Sequence, residues 1–233
     1  MGFSVRLIVC VFLLSTAAFS QELTREQKLQ KIDELNSQIK SLEADVLLPA
    51  VKDLKTAQKE GFEVFRLMPR ERYDRKLTVQ GGGAYYSFTT KSHDYQKIAQ
   101  IGLEQNYLQV GFAGANYGFL ADLGDIPLAT VTTETAELNF LVSYQPPTKE
   151  PEVRAEQRKS FKYETENATY QSRVPASPGH VYVLRAISFD DADVLVAFKI
   201  HRKETDGSLI IFWNLLKNFE KPKLTRGDLA EKD

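Results

Sequence analysis

The stretch that decides the fold is HVYVLRAISFDDADVLVAFKIHRKETDGSLIIFW, residues 180–213. Apolar residues alternate with a period of two, as is typical of β-strands, in three segments: 180–188, 194–202 and 209–213. Short turn-forming runs separate these segments, and the second run contains the Asp-Gly pair at 206–207, a strong hairpin signal. Parallel strands need a crossover of about a dozen or more residues. The stretch therefore predicts a three-stranded antiparallel meander in sequence order.

The middle segment of this meander is predicted to be buried. One of its faces carries Val194, Val196, Phe198 and Ile200. The opposite face begins with Leu195 and Ala197 and becomes polar afterwards. A strand that is apolar on both faces is covered on both, so a second layer is expected over its first half.

Further segments rich in aromatic and β-branched residues precede the meander. They are 62–68, 77–80, 84–90, 98–103, 107–112 and 136–144. Together with the meander they predict about nine short strands, which is typical of a mainly antiparallel sandwich or barrel-like sheet. This β-rich domain is expected over 61–226, with a polar loop or partly helical flap near 146–179 and a polar tail at 227–233.

A helix is predicted before the β domain, within 21–60, which makes the fold class α+β. Thr24 and Gln27 have the spacing of a capping box, and Pro49 is expected to kink or end the helix. Apolar residues recur at spacings of three and four, a short coiled-coil-like seam, at Ile32, Leu35, Ile39, Leu42 and Val46. A helix this short is marginal alone, so the seam is expected to pack on a second copy or on the β domain.

The N-terminus has the three parts of a cleavable signal peptide, predicted at 1–20. A charge at Arg6 is followed by an apolar run at 7–19, and small residues precede Gln21. The run is shorter than the roughly 20 residues that span a bilayer, so no membrane span is expected after cleavage. Cleavage would also remove Cys10, the single cysteine. A secreted or periplasmic protein without disulfides or thiolate sites is the expectation.

The charge balance indicates little about partners, since the net charge is −1. A near-neutral chain implies neither nucleic acid nor an anionic membrane as partner. An unknown protein or glycan, or a second copy of the chain, remains the expected partner.

Two groups of residues are candidate sites. Asp190, Asp191 and Asp193 cluster in the first predicted turn, where they would bind calcium or form a solvated turn; no other cofactor is expected. Small residues alternate with aromatic ones at 111–120. Within that run, exposed rings would offer a ligand surface, or buried rings would pack a sheet corner, at Phe112, Tyr117 and Phe119.

Weaker motifs favour structural interpretations. The adjacent His93 and Asp94 point in opposite directions on a strand end, and His180 with His201 lacks a third metal ligand. The glycines at 81–83 precede a strand and not the helix of a phosphate loop. The triplet 167–169 is a glycosylation acceptor only in a host that glycosylates.

These patterns do not assemble a nucleophile, a base and an oxyanion site. They favour an exported, non-enzymatic binding or structural module of the cell envelope or extracellular space, oligomerised or braced by its helix. The alternative is a secreted hydrolase acting on a glycan or peptide. A pocket with two carboxylates about 5 to 10 Å apart would favour the hydrolase, whereas a shallow aromatic surface would favour binding.

Overall fold

The computed structural model describes residues 23–225, except 94, 96, 97 and 113. The predicted signal peptide and the tail at 227–233 therefore lie outside the described residues. The chain divides into two compact units, Met1–Gln38 and Ile39–Asp233. Among the described helices, none combines the length and the apolar character that crossing a bilayer requires.

Two helices occupy the predicted N-terminal region, α1 at Arg25–Leu47 and α2 at Val51–Glu60. The capping box forms as expected: Thr24 N donates to Gln27 Oε1 at 2.9 Å, and Gln27 N donates to Thr24 Oγ1 at 3.2 Å. The break between the helices includes Pro49, which cannot donate a backbone hydrogen bond.

The rest of the chain consists mostly of short strands. They are β1 Glu63–Leu67, β2 Tyr85–Tyr86, β3 Ile101–Glu104, β4 Tyr107–Gln109, β5 Tyr117–Gly124, β6 Tyr163–Glu164, β7 Thr169–Tyr170, β8 Arg173–Pro175, β9 Val181–Ser188, β10 Ala192–Lys203 and β11 Leu209–Asn218. Three short helices interrupt them: α3 Arg70–Tyr73, α4 Asn139–Ser143 and α5 Glu150–Lys159.

The C-terminal meander is confirmed. Strands β9, β10 and β11 pair in sequence order as antiparallel neighbours, with Phe198 opposite Tyr182 on one side and Trp213 on the other. They form the centre of a five-stranded sheet in the order β1-β11-β10-β9-β5, and all its pairings are antiparallel. A second, four-stranded sheet has the order β2-β3-β4-β8. The described strands form no closed barrel.

Both faces of β10 are covered, as its sequence predicts. Val194, Val196, Phe198 and Ile200 belong to a core cluster that also contains side chains of β3, β4 and β8. Leu195 and Ala197 belong to a second cluster, to which Leu138 and Leu141 contribute. The first face therefore packs toward the smaller sheet, and the other is covered by the segments around α4.

Two predicted strands are wrong. Residues 136–144 form a 3₁₀ turn and then α4, because Leu138 and Leu141, three residues apart, point to the same core cluster and a short apolar run is compatible with either period. Residues 77–80 form turns that lead into the 3₁₀ turn Gln80–Gly83.

The polar segment 146–179 is more ordered than predicted. It contains α5 and three short strands. It also contributes to the core, because Val153, Tyr170 and Val174 are buried. These isolated apolar residues lie on structured elements, where a single side chain reaches the core without a long apolar run.

Candidate functional site

A cavity of about 700 Å³ lies between the C-terminal half of α1, strand β1, the segments 78–80 and 91–93, and Tyr95. Its size falls within the range of about 300 to 1,000 Å³ that is typical of small-molecule sites. All the residues that line it belong to the larger unit.

Aromatic rings form the floor of this cavity. Phe65 of β1 and Tyr86 of β2 are stacked, with ring centroids 3.7 Å apart and planes inclined by 6°. Phe88 packs edge-on against Phe65. Burial raises the pKa of Tyr86 far above its ordinary value, so the phenol stays neutral. The floor is therefore an uncharged, largely apolar surface.

One carboxylate, that of Glu43, lies in the cavity wall, and it is the only carboxylate among the described lining residues. Its two oxygens accept hydrogen bonds from the backbone N–H and the hydroxyl of Thr78, the latter at 2.7 Å. Glu43 is 8% exposed. These bonds tie α1 to the segment after α3 and satisfy the carboxylate before any ligand is bound.

The cavity also has basic residues among those that line it. Lys40 comes from α1, and Lys91 and His93 from the loop after β2. Lys91 Nζ lies 2.7 Å from Glu63 Oε1, with both side chains 56% exposed. His93 Nε2 lies 2.7 Å from the carbonyl oxygen of Arg66. An apolar floor thus meets a rim that carries positive charge.

The predicted seam of α1 is a second surface feature. Its five apolar side chains are between 38% and 65% exposed. These residues are Ile32, Leu35, Ile39, Leu42 and Val46. We call this set the α1 stripe. A row of exposed apolar side chains on one helix face is typical of an interaction surface.

The aspartates of the predicted turn differ in burial, since Asp193 is buried and Asp190 is exposed. Asp193 belongs to β10, and its carboxylate accepts two hydrogen bonds from Arg185 in the core. Asp190 lies in the turn with a φ of 66°. Asp193 is thus neither a solvated turn residue nor directed at a shared ion, and the part of the chain that the structure describes holds no group of three metal-ligating side chains.

Among the aromatic residues of the run at 111–120, Tyr117 and Phe119 are buried and Phe112 is half-buried. Tyr117 and Phe119 belong to β5, and the Tyr117 hydroxyl lies 2.7 Å from that of Tyr144. Phe112 packs against Tyr85 at 5.0 Å between ring centroids. A Cβ on Gly118 would lie 2.5 Å from the Arg185 carbonyl oxygen, so this small residue allows β5 to approach β9. The alternation reflects packing, and the rings of Tyr117 and Phe119 offer no exposed face.

The histidines have separate partners. His180 Nδ1 lies 3.0 Å from both carboxylate oxygens of Asp122, and His201 stacks on Phe212 at 4.2 Å. His180 and His201 therefore contact different residues. Asp94, the neighbour of His93 in sequence, lies outside the described residues.

The remaining motifs fall on turns. The three glycines at 81–83 are buried in a 3₁₀ turn, where each has a positive φ. Asn167 is exposed in the connection between β6 and β7. Sequence reasoning missed Glu43 and Thr78, because nothing in the sequence links a helix acid to a turn residue 35 positions later.

No protein-family model, curated protein or solved structure matches this chain.

Proposed function

We propose that this chain is an exported, non-enzymatic binding or structural module of the cell envelope or extracellular space that self-associates through α1. The observation that carries the proposal is the exposed α1 stripe. Export rests on the signal-peptide pattern at 1–20. In this proposal the β domain is a sandwich whose two sheets enclose the core cluster around Phe198.

The composition of the stripe favours a second copy of the same chain as its partner. In heptad terms, the a positions are Ile32, Ile39 and Val46, and the d positions are Leu35 and Leu42. β-branched residues at a with leucine at d favour a parallel, two-stranded coiled coil. The proposed assembly is therefore a parallel homodimer.

The neighbouring face of α1 is already occupied within the larger unit. Glu43 is held by Thr78, and Leu42 precedes it by one residue, which is about 100° around a helix. Leu42 therefore points away from the Thr78 contact and is the most exposed residue of the stripe, at 65%. The stripe stays accessible to a partner while α1 is anchored to its own domain.

The polar groups of the described residues support binding more than hydrolysis. A two-carboxylate mechanism needs a pair of acids flanking the substrate, whereas Glu43, already bonded to Thr78, is the only carboxylate among the described residues that line the cavity. These observations favour the binding module over the alternative of a secreted glycan or peptide hydrolase.

The test is the mass in solution of the chain from Gln21 onward. The double variant Leu35→Ala, Leu42→Ala removes both d-position leucines, and light scattering after size exclusion should show a dimer for the parent and a monomer for the variant. Leu23→Ala, Leu215→Ala is the matched control, since it removes two leucines of similar exposure, 49% and 45%, outside the stripe. A monomeric parent, or a variant that remains dimeric, would contradict the proposal.

The relative orientation of the two α1 helices in the proposed dimer is tested by a separate measurement. Because the chain from Gln21 onward contains no cysteine, an Ile32→Cys variant reports on Ile32 alone. In a parallel pair the two introduced thiols lie side by side, and mild oxidation should give a covalent dimer. An antiparallel pair places them at opposite ends, and no covalent dimer should form.

A further inference from the structure

We infer that the cavity between α1 and β1 binds a free long-chain carboxylate, an amphiphile with an apolar tail and an anionic head. The cavity is a different surface from the α1 stripe. The inference is therefore independent of the proposed self-association. It depends on three features of the described cavity: its apolar floor, the hydrogen bonds that Glu43 already accepts, and the position of its lysines.

The floor fits an apolar tail. The stacked residues Phe65 and Tyr86 both line the cavity, and Leu47 of α1 and Val79 of the facing turn complete the walls. The volume of about 700 Å³ is suited to a drug-sized or lipid-sized tail. Burying an acyl chain on this surface removes apolar area from water, which favours binding.

The charges favour an anionic head. Among the described lining residues, two lysines, Lys40 and Lys91, face one glutamate, Glu43, and that glutamate already accepts two hydrogen bonds from Thr78. Lysine stems lie along apolar surface while the ammonium group stays in water, so this inference places the head group at the mouth, near the ammonium groups of the two lysines. A cationic head would meet repulsion from the same two groups.

The lysines are available to a ligand. Lys91 is paired with Glu63, but both side chains are 56% exposed, and an ion pair of that exposure contributes little. Lys40 makes no ion pair with any residue that the structure describes. A bound carboxylate would form charge-assisted contacts with both lysines. Only the weak ion pair between Lys91 and Glu63 would be lost.

The protein contains its own reporter of occupancy. Trp213 is the only tryptophan, and its ring lies 4.9 Å from Phe88 and 6.5 Å from Tyr86, measured between centroids. Its indole Nε1 is buried and has no hydrogen-bond partner among the described residues. A ligand on the face of Tyr86 changes the surroundings of this ring, and so its emission.

The experiment is a titration of the chain from Gln21 onward with laurate below its micellar concentration, followed by Trp213 emission and by calorimetry. Dodecylammonium, with the same tail length and the opposite charge, is the matched probe. We expect saturable one-to-one binding of laurate at least about tenfold tighter than that of dodecylammonium.

Variants locate the site. Ala44→Phe places a ring in the cavity from a lining residue on the exposed side of α1 and should abolish laurate binding. Lys40→Gln, Lys91→Gln should weaken laurate binding about tenfold or more, whereas Lys55→Gln, Lys59→Gln, two lysines of α2 that do not line the cavity, should not. Far-ultraviolet circular dichroism confirms that each variant is folded.

Several outcomes would overturn the inference. These are equal affinity for dodecylammonium, laurate binding that survives Ala44→Phe, and the absence of laurate binding by both methods. Sedimentation with phosphatidylglycerol vesicles without laurate binding would overturn it in favour of a membrane surface. The titration is repeated on Leu35→Ala, Leu42→Ala, whose binding should match that of the parent if the cavity acts within one chain.

Discussion

Arg185 of β9 and Asp193 of β10 form a doubly hydrogen-bonded ion pair inside the protein. The Nε–Oδ1 and Nη2–Oδ2 distances are 2.9 and 2.8 Å, and each side chain is 1% exposed. The guanidinium also donates to the backbone carbonyl oxygens of Leu141 and Tyr144 and stacks 3.6 Å from the ring centroid of Phe219. This one pair joins the central sheet to α4 and to the C-terminal segment.

Breaking this ion pair should be costly. Asp193→Asn leaves the Arg185 guanidinium buried without its counter-charge, and we expect a loss of about 3 to 5 kcal/mol in the free energy of unfolding, measured by urea denaturation. Asp190→Asn is the control, because Asn also adopts the positive φ of this turn position; it should change stability by less than about 0.5 kcal/mol. Equal effects of the two substitutions would contradict the burial of the pair.

The core position of Phe198 gives a second prediction. Its side chain is 0% exposed and stacks on Tyr182 at 5.3 Å. Phe198→Ala should therefore cost about 3 to 5 kcal/mol. His201→Ala, on the same strand but exposed, loses only a stack on Phe212 and should cost about 1 kcal/mol or less. Thermal and urea unfolding of the two variants, compared in parallel, check the difference.

The glycine turn before β2 gives a third prediction. Gly82 has a φ of 62°, and a Cβ there would lie 2.2 Å from the backbone carbonyl carbon of Tyr73. Gly82→Ala combines an unfavourable φ with a backbone clash and should cost on the order of 3 kcal/mol or more. Gly124→Ala has a φ of 76° but nothing within 4 Å of its Cβ, so it should cost only about 1 to 2 kcal/mol. Equal stability losses would show that the turn is loosely packed.

Acid should destabilise the protein through Asp53 and Asp206. Burial raises the pKa of Asp53, but the hydrogen bonds and charge of Arg202 outweigh burial and hold that pKa below its usual 3.8. Burial likewise raises the pKa of Asp206, and hydrogen bonds from Tyr73 and Ser208 outweigh it and lower that pKa. Carboxylates with lowered folded pKa values stabilise the fold above the unfolded value and lose this contribution as the pH falls.

The measurement is the free energy of unfolding between neutral pH and about pH 2. We expect it to fall from about pH 4 downward, and the Asp53→Asn, Asp206→Asn variant should be less stable at neutral pH and show a shallower fall. Asp45→Asn is the control, because it removes one carboxylate at an exposed position of α1. Its free energy of unfolding should depend on pH as that of the parent does. An unchanged slope in the double variant would contradict the assignment of the acid sensitivity to these two residues.

Local patterns determined a large part of this structure. The alternation at Val194, Val196 and Phe198 and the Asp-Gly turn were sufficient to predict the antiparallel meander, because strand faces and tight turns depend on residues close in sequence. The capping box at Thr24 and the interruption at Pro49 likewise involve neighbours only. The heptad spacing predicted which residues form the α1 stripe. Only the folded structure shows that these residues are exposed.

Contacts between residues far apart in sequence decided the rest. The same short apolar run at 136–144 suits a strand or a helix, and burial against the central sheet selects the helix. Asp193 looks like a turn residue until Arg185 binds its carboxylate, with the same guanidinium held by the carbonyl oxygens of Leu141 and Tyr144. The cavity wall depends on Glu43 meeting Thr78 across 35 residues. Such contacts form because side chains must bury apolar area and satisfy polar groups together, and which partners do so is a property of the folded chain.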